Sequence, residues 1–282
     1  MELLVSTQWL ADNLDDPDLV VLDCTVHLRM GADGFEAISG REDWAAGHIP
    51  GAGFADLTGA LCDGDSPLRF ALPAPEVFAA AMADLGVADG RRVVLYDANA
   101  SMWAARVWWM LRWIGFDDAA LLDGGWLAWS QEDRPVDTTV RSHEAGSLPV
   151  RLRPRLVADK SEVTAAIGDG ATCIVDALTP QMYSGEIAMY RRGGHIPGAV
   201  NAPASALTDP DTGRFRPVEE LAAMFDHDPA TRTITYCGGG IAASGDAFAL
   251  TLLGYDDVAV YTASMQEWAA DPDAPLVTEP TR

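Results

Sequence analysis

The amino-acid sequence predicts an α/β protein made of two similar domains, each a mostly parallel sheet flanked by helices. Three observations lead there. Short β-branched apolar runs alternate with longer stretches of helical spacing, the pattern of βα units. The hexapeptide Gly-His-Ile-Pro-Gly-Ala at 47–52 recurs 147 positions later at 194–199. The 282 residues suffice for two domains of ordinary size.

Taken in order, Thr7 to Leu14 reads as a helix, and Leu19-Val20-Val21-Leu22-Asp23 as a buried strand. The Gly-His-Ile-Pro-Gly-Ala segment at 47–52 is turn-rich. A helical run from Pro75 to Leu85 precedes a second strand, Arg92 to Asp97. Then come an apolar helix from Trp103 to Ile114, the strand Ala119 to Leu122, and Asp123-Gly124-Gly125 before Trp126 and Trp129. The second half repeats this plan. Cys173-Ile174-Val175-Asp176 echoes Val21-Leu22-Asp23, Tyr236 echoes Tyr96, Gly254-Tyr255-Asp256 echoes Gly115-Phe116-Asp117, and Trp268 echoes Trp129. A nearly constant offset with small gaps is the signature of a duplicated domain. The boundaries expected from it are a first domain over 1–140, a linker over 141–154 and a second domain over 155–282.

Apolar residues are 49% of the chain, so sizeable cores can be buried and global disorder is excluded. A net charge of −23 argues against nucleic acid or an anionic membrane as partner. It also means that an anionic substrate must be drawn in by a local field. No basic stretch followed by an apolar run opens the chain, and no apolar stretch is long enough to span a bilayer. Cys24, Cys62, Cys173 and Cys237 show no CxxC spacing, so neither a zinc site nor a dithiol motif is expected. A cytoplasmic protein with reduced thiols is the expectation.

The repeat is broken at one informative place. Arg232 to Tyr236 reads as a strand, Cys237-Gly238-Gly239-Gly240 as a tight loop, and the run from Ala242 to Leu253 as a helix. Cys237 is thereby expected at the carboxyl end of a strand, facing the unpaired N–H groups and partial positive charge of a helix N-terminus. Glycines let successive N–H groups converge on an anion. Such an address favours a thiolate, and it would also hold a persulfide, whose outer sulfur is anionic. Aligning Tyr96 on Tyr236 puts Asp97 where Cys237 stands, followed by Ala98-Asn99-Ala100. The nucleophile is confined to the second copy.

These segments, together with Ala105-Arg106-Val107-Trp108-Trp109-Met110 and Leu121-Leu122-Asp123-Gly124-Gly125, resemble the two-domain rhodanese sulfurtransferases over essentially the whole chain. The resemblance implies two rhodanese-like domains, each a five-stranded, mostly parallel sheet flanked by helices, with no catalytic cysteine in the first. It implies that Cys237 takes a sulfane sulfur from thiosulfate or 3-mercaptopyruvate, becomes a persulfide, and passes the sulfur to cyanide or a thiol, such as that of a thioredoxin-like protein. Gly238, Gly239, Gly240, Ile241 and Ala242 match the loop whose amides cradle the sulfur. Cys-Gly-Gly-Gly is closer to the Cys-Gly-Ser/Thr-Gly of mercaptopyruvate-preferring members than to the Cys-Arg-Lys-Gly of thiosulfate-preferring ones. No metal or organic cofactor is expected, since sulfur itself is the group carried.

The chain departs from that pattern in three places. Ser184 stands where mercaptopyruvate enzymes have an arginine that would grip the substrate carboxylate, and serine offers no charged fork. Ala242 replaces a hydroxyl residue of the loop, and Ala263-Ser264-Met265 replaces Gly-Ser-Trp. Arg191 and Arg192 are candidates for the missing arginine, the other reading being a solvated basic pair. His48 and His195 recur in both halves, one of which lacks a nucleophile, which favours a structural turn role. Trp103, Trp108, Trp109 and Trp113 have the spacing of core and domain-interface residues. A cysteine phosphatase would need an arginine at 243, which is alanine. A cysteine hydrolase would need a histidine base at the thiol, and none lies on the loop. A sulfur carrier or persulfide relay, loaded by a partner enzyme, is the alternative to an enzyme using small donors.

Overall fold

The computed structural model describes residues 1–31, 34–140 and 145–278. Residues 141–144 of the expected linker, and 279–282 of the expected second domain, lie outside the described residues. The chain forms two compact units. One comprises 1–65, 72–153 and 208–215; the other comprises 66–71, 154–207 and 216–282.

In the first unit, strands β1 (Leu4–Val5), β2 (Leu19–Asp23), β5 (Gly53–Phe54), β6 (Arg92–Tyr96) and β7 (Ala119–Leu122) form one parallel sheet in the order β1-β7-β6-β2-β5. β2 is buried along its whole length, which is why it reads as an unbroken apolar run rather than an alternating one. Helices α1 (Thr7–Asn13), α2 (Arg41–Ala46), α3 (Pro75–Asp84), α4 (Met102–Trp113) and α5 (Gly125–Gln131) complete the unit. Ser6 caps α1 by accepting the Trp9 N–H, and Pro75 starts α3 at a position where its missing N–H costs nothing. Trp103, Trp108, Trp109 and Trp113 are all buried on α4.

One feature escapes the sequence reading. β3 (Val26–Gly31) and β4 (Gly34–Ser39) form an antiparallel hairpin outside the main sheet. The signal was present as the alternation of Val26, Leu28 and Met30 with His27 and Arg29.

The second unit repeats the plan. Strands β8 (Val157–Ala158), β9 (Thr172–Asp176), β10 (Val200–Asn201), β11 (Arg232–Tyr236) and β12 (Val258–Tyr261) make a parallel sheet that reads β8-β12-β11-β9-β10. That is the first sheet's order, strand for strand. Its helices are α6 (Lys160–Ala166), α7 (Pro180–Tyr183), α8 (Val218–Ala222), α9 (Ile241–Leu252) and α10 (Ser264–Trp268). Asp159 caps α6 through the Glu162 N–H, as Ser6 caps α1.

The hydrogen bonds are duplicated too. The Tyr96 hydroxyl accepts the Ile49 N–H, and the Tyr236 hydroxyl accepts that of Ile196. The indole N–H groups of Trp129 and Trp268 donate to the carbonyls of Pro135 and Pro275, both at 2.9 Å. The two hexapeptide histidines stack on Trp44 and Tyr183 and bond through Nδ1 to those residues' carbonyls, at 2.7 and 2.8 Å. Their role is to pin a turn. Among the described residues, no helix is long and apolar enough to cross a membrane.

Candidate active site

Cys237 follows directly on β11, and α9 begins four residues later. Cys237 is only 2% exposed, and its sulfur accepts the Gly240 N–H at 3.2 Å. The loop is built from outside as well as within. The Cys237 N–H donates to Ser264 Oγ at 3.1 Å, and that hydroxyl donates to the Tyr261 carbonyl at 2.6 Å. The carbonyls of Cys237 and Gly238 accept the N–H groups of Met265 and Gln266, at 3.0 and 3.1 Å. The start of α10 therefore takes the loop's carbonyls and Ser264 the Cys237 N–H, while the Gly240 N–H, at the start of α9, is on the sulfur. The helix dipole adds its field there. Ile241 and Ala242 supply the first turn of α9.

Each glycine of the triplet has its own reason. Gly240 has φ +83°, a left-handed conformation that side chains resist. Gly238 and Gly239 have no room for a side chain. A Cβ on Gly238 would stand 1.7 Å from the Tyr190 hydroxyl, and one on Gly239 would stand 2.1 Å from Gln266 Nε2. Tyr190 thus lies directly on the loop. Burial holds its phenol protonated well above the ordinary range; the Cys237 sulfur and Asp176 add to that, and Arg69 opposes it.

The equivalent loop of the first unit is closed by its own acid. Asp97 occupies the position after β6, and its carboxyl accepts four backbone N–H groups: Asn99 and Ser101 at 2.6 and 3.0 Å on one oxygen, Trp103 and Ala104 at 2.9 and 2.8 Å on the other. Burial still pushes this carboxyl upward, against the pull of those four N–H groups. Ala100, at the position of Gly240, carries a φ of 58°, and Ser101 after it one of 61°. The same strand–loop–helix junction holds an aspartate side chain in one unit and a cysteine in the other.

The structure separates the remaining candidates. Ser184 is buried; its hydroxyl donates to the Gln181 carbonyl at 3.2 Å and accepts the Glu186 N–H at 3.4 Å, closing α7. Arg192 is half-buried against the main chain. Its guanidinium donates to the carbonyls of Trp268, Ala269 and Ala274 at 3.1, 3.2 and 2.8 Å, and also to that of Asp271. It fastens the turn after α10. Arg191 is exposed. Ser264, Tyr190, Gln266 and Arg69 all touch or adjoin the loop and were not singled out by sequence. Of these only Ser264 left a signal, as the serine that Ala263-Ser264-Met265 shares with Gly-Ser-Trp. Among the described residues, no group of His, Cys, Asp and Glu is arranged to hold a metal ion.

A parallel β-sheet domain in two copies, with one cysteine cradled at a strand-to-helix junction, is the layout of a sulfur-handling α/β protein. The rhodanese-like domain model matches residues 6–132 and 159–271, and the chain belongs to the rhodanese family. It is 33% identical over 280 residues to 3-mercaptopyruvate sulfurtransferase of Escherichia coli K12, with 96% of each chain covered. It is 32% identical over 283 residues to the sulfur carrier protein TtuD of Thermus thermophilus, covering 95% of this chain and 93% of that one. Among solved structures it is similar to SseA from Escherichia coli, described as a 3-mercaptopyruvate sulfurtransferase of rhodanese fold. The TM-score is 0.83 at 31% identity, over 94% of this chain and 99% of that one.

Proposed function

We propose that this protein is a sulfurtransferase that carries a sulfane sulfur on Cys237. The observation that supports it most directly is the Cys237 sulfur receiving the Gly240 N–H at the mouth of α9. The Cys237 thiolate attacks the sulfur of 3-mercaptopyruvate; the carbon–sulfur bond breaks, and the enolate takes the donor's thiol proton to leave as pyruvate. With thiosulfate the sulfur–sulfur bond breaks and sulfite leaves. Either way Cys237 becomes Cys–S–S⁻, and its charge rests against the loop amides and the helix N-terminus. Cyanide or a thiolate then attacks the outer sulfur, leaving as thiocyanate or a new persulfide and returning the Cys237 thiolate. This is a two-step, ping-pong cycle. The buried sulfur suits a small donor and acceptor, and a thiol presented on the extended tip of a thioredoxin-like partner.

The domain division 1–140, 141–154 and 155–282 is part of the same reading, and the family matches at 6–132 and 159–271 support it. So is a cytoplasmic location, supported by four cysteines that are all unpaired.

A second reading is favoured by Ser184 and by the similarity to a sulfur carrier: Cys237 would be loaded by a partner enzyme rather than by a small donor. One assay separates the two. Sulfur transfer to cyanide is measured with 3-mercaptopyruvate and with thiosulfate, on the wild type and on Cys237→Ser. Turnover that is lost by at least about a thousandfold in the variant establishes the enzyme. A folded wild-type protein that turns over neither donor sinks that reading and leaves the carrier.

A further inference from the structure

The donors proposed above are anions, in a chain of net charge −23, so the site needs a cation of its own. This inference rests on the sulfur-transfer reading. Ser184, which stands where an arginine was looked for, carries no charge and closes α7, and the guanidinium of Arg192 is bound to main-chain carbonyls.

Another arginine reaches the loop from far away in the chain. Residues 66–71 belong to the compact unit that contains Cys237. The main chain of Arg69 is bracketed by the side-chain amide of Gln266: its N–H donates to Oε1 at 2.9 Å, and its carbonyl accepts from Nε2 at 3.3 Å. Gln266 is itself anchored to the loop by its N–H on the Gly238 carbonyl, at 3.1 Å. Gly239 lies directly beneath this bracket, since a Cβ there would stand 2.1 Å from Gln266 Nε2 and 3.3 Å from the Arg69 carbonyl. Phe70, the next residue, has φ +58°, a conformation an aromatic residue adopts only where its surroundings impose it. The segment is therefore held in one shape against the catalytic loop. The Arg69 side chain is exposed, and its charge acts on the phenol of Tyr190, the residue that lies on Gly238.

We propose that Arg69, set against the loop by Gln266, binds the carboxylate of the sulfur donor and makes the site selective for a 3-mercapto-2-oxo acid over the thiosulfate dianion. A guanidinium offers two parallel N–H groups that match a planar carboxylate. One fork balances one carboxylate, whereas a thiosulfate dianion calls for a second cation. The arginine that serves this site then lies in the first half of the chain, ahead of the domain that carries the cysteine.

The test compares wild type with Arg69→Gln and Arg69→Lys. Steady-state kinetics are run with 3-mercaptopyruvate and thiosulfate, and pyruvate binding to the unloaded protein is measured by calorimetry. In Arg69→Gln, KM for 3-mercaptopyruvate and the pyruvate dissociation constant both rise about ten- to hundredfold, while kcat changes far less. Arg69→Lys falls between the two. Cyanide discharge of Cys237 persulfide loaded from inorganic polysulfide keeps its wild-type rate, because cyanide has no carboxylate. Unchanged KM and pyruvate affinity in Arg69→Gln overturn the proposal. So does a loss that falls on kcat alike for both donors, or one taken by Arg191→Gln instead. A wild type that turns over neither donor defeats the sulfur-transfer reading separately. In that case the pyruvate titration still decides Arg69: binding lost in Arg69→Gln supports it, and binding kept overturns it.

Discussion

The contact of Tyr190 with Gly238 makes Gly238→Ala the sharpest probe of how the loop is built. The added methyl would stand 1.7 Å from the Tyr190 hydroxyl oxygen, 2.7 Å from Cζ and 3.4 Å from Cε1. Ordinary contact begins near 3.4 Å, so the hydroxyl must withdraw by about 1.7 Å or the loop must shift by as much. Tyr190 packs against the core of its unit, and forcing such a side chain aside costs about 1–3 kcal/mol. The loss of activity is larger than that of stability. A displacement of about 1 Å at reacting groups is worth roughly a hundredfold in rate, and the methyl pushes on the residue next to the nucleophile. Denaturant unfolding reads the first quantity, and kcat/KM with 3-mercaptopyruvate the second. Tyr190→Ala opens the space, so adding Gly238→Ala to that variant costs almost nothing further. The cycle then shows a coupling of about 1–3 kcal/mol. A Gly238→Ala protein whose unfolding free energy stays within about 0.5 kcal/mol of wild type, with unchanged kcat/KM, would refute the contact and the reasoning built on it.

Two other outcomes follow from buried acids. Asp97→Ala leaves the N–H groups of Asn99, Ser101, Trp103 and Ala104 without their acceptor, and unfolding free energy falls by roughly 3 kcal/mol or more; equality with wild type would mean that the nest is not closed by this carboxyl. Asp176 gives a pH signature, because burial pushes its carboxyl from 3.8 up to about 6. Between those values the folded state holds a proton that the unfolded state has released, so the stabilising contribution is complete below about pH 4 and is lost as pH rises through about 6. Asp176→Asn removes that dependence, and its stability relative to wild type rises by on the order of 3 kcal/mol from pH 4 to 7. Burial, and after it the Asp176 charge, pushes Asp246 well above its ordinary value, so the comparison is made in an Asp246→Asn background, where Asp176 titrates without that neighbour. A flat difference across that range would show that Asp176 ionises freely.

The central strands were legible because burial on both faces selects apolar and β-branched residues, an unbroken apolar run in Leu19 to Leu22 and β-branched and aromatic residues in Thr233 to Tyr236. Cys237 was legible for a different reason. A duplicated chain carries its own reference, and the one junction where cysteine and glycines replace Asp97-Ala98-Asn99-Ala100 identifies itself by contrast. The rest of the site has no such local signature. Arg69 stands 168 positions before the nucleophile and is set against its loop by Gln266, whose side chain fits around one peptide unit. Tyr190 sits in a stretch without periodicity, and nothing in Ala188-Met189-Tyr190 says that its hydroxyl rests on a glycine. Arg192 shows the converse case. A basic pair near an expected active site reads as an anion grip, yet the carbonyls around α10 offered it partners that only the folded chain brings within reach. Motifs report the chemistry that neighbours in sequence can perform together. Selectivity in this site is carried by residues that become neighbours only through tertiary structure, and it is there that substitutions at Arg69 and Gln266 should alter the choice of donor while leaving the persulfide chemistry of Cys237 in place.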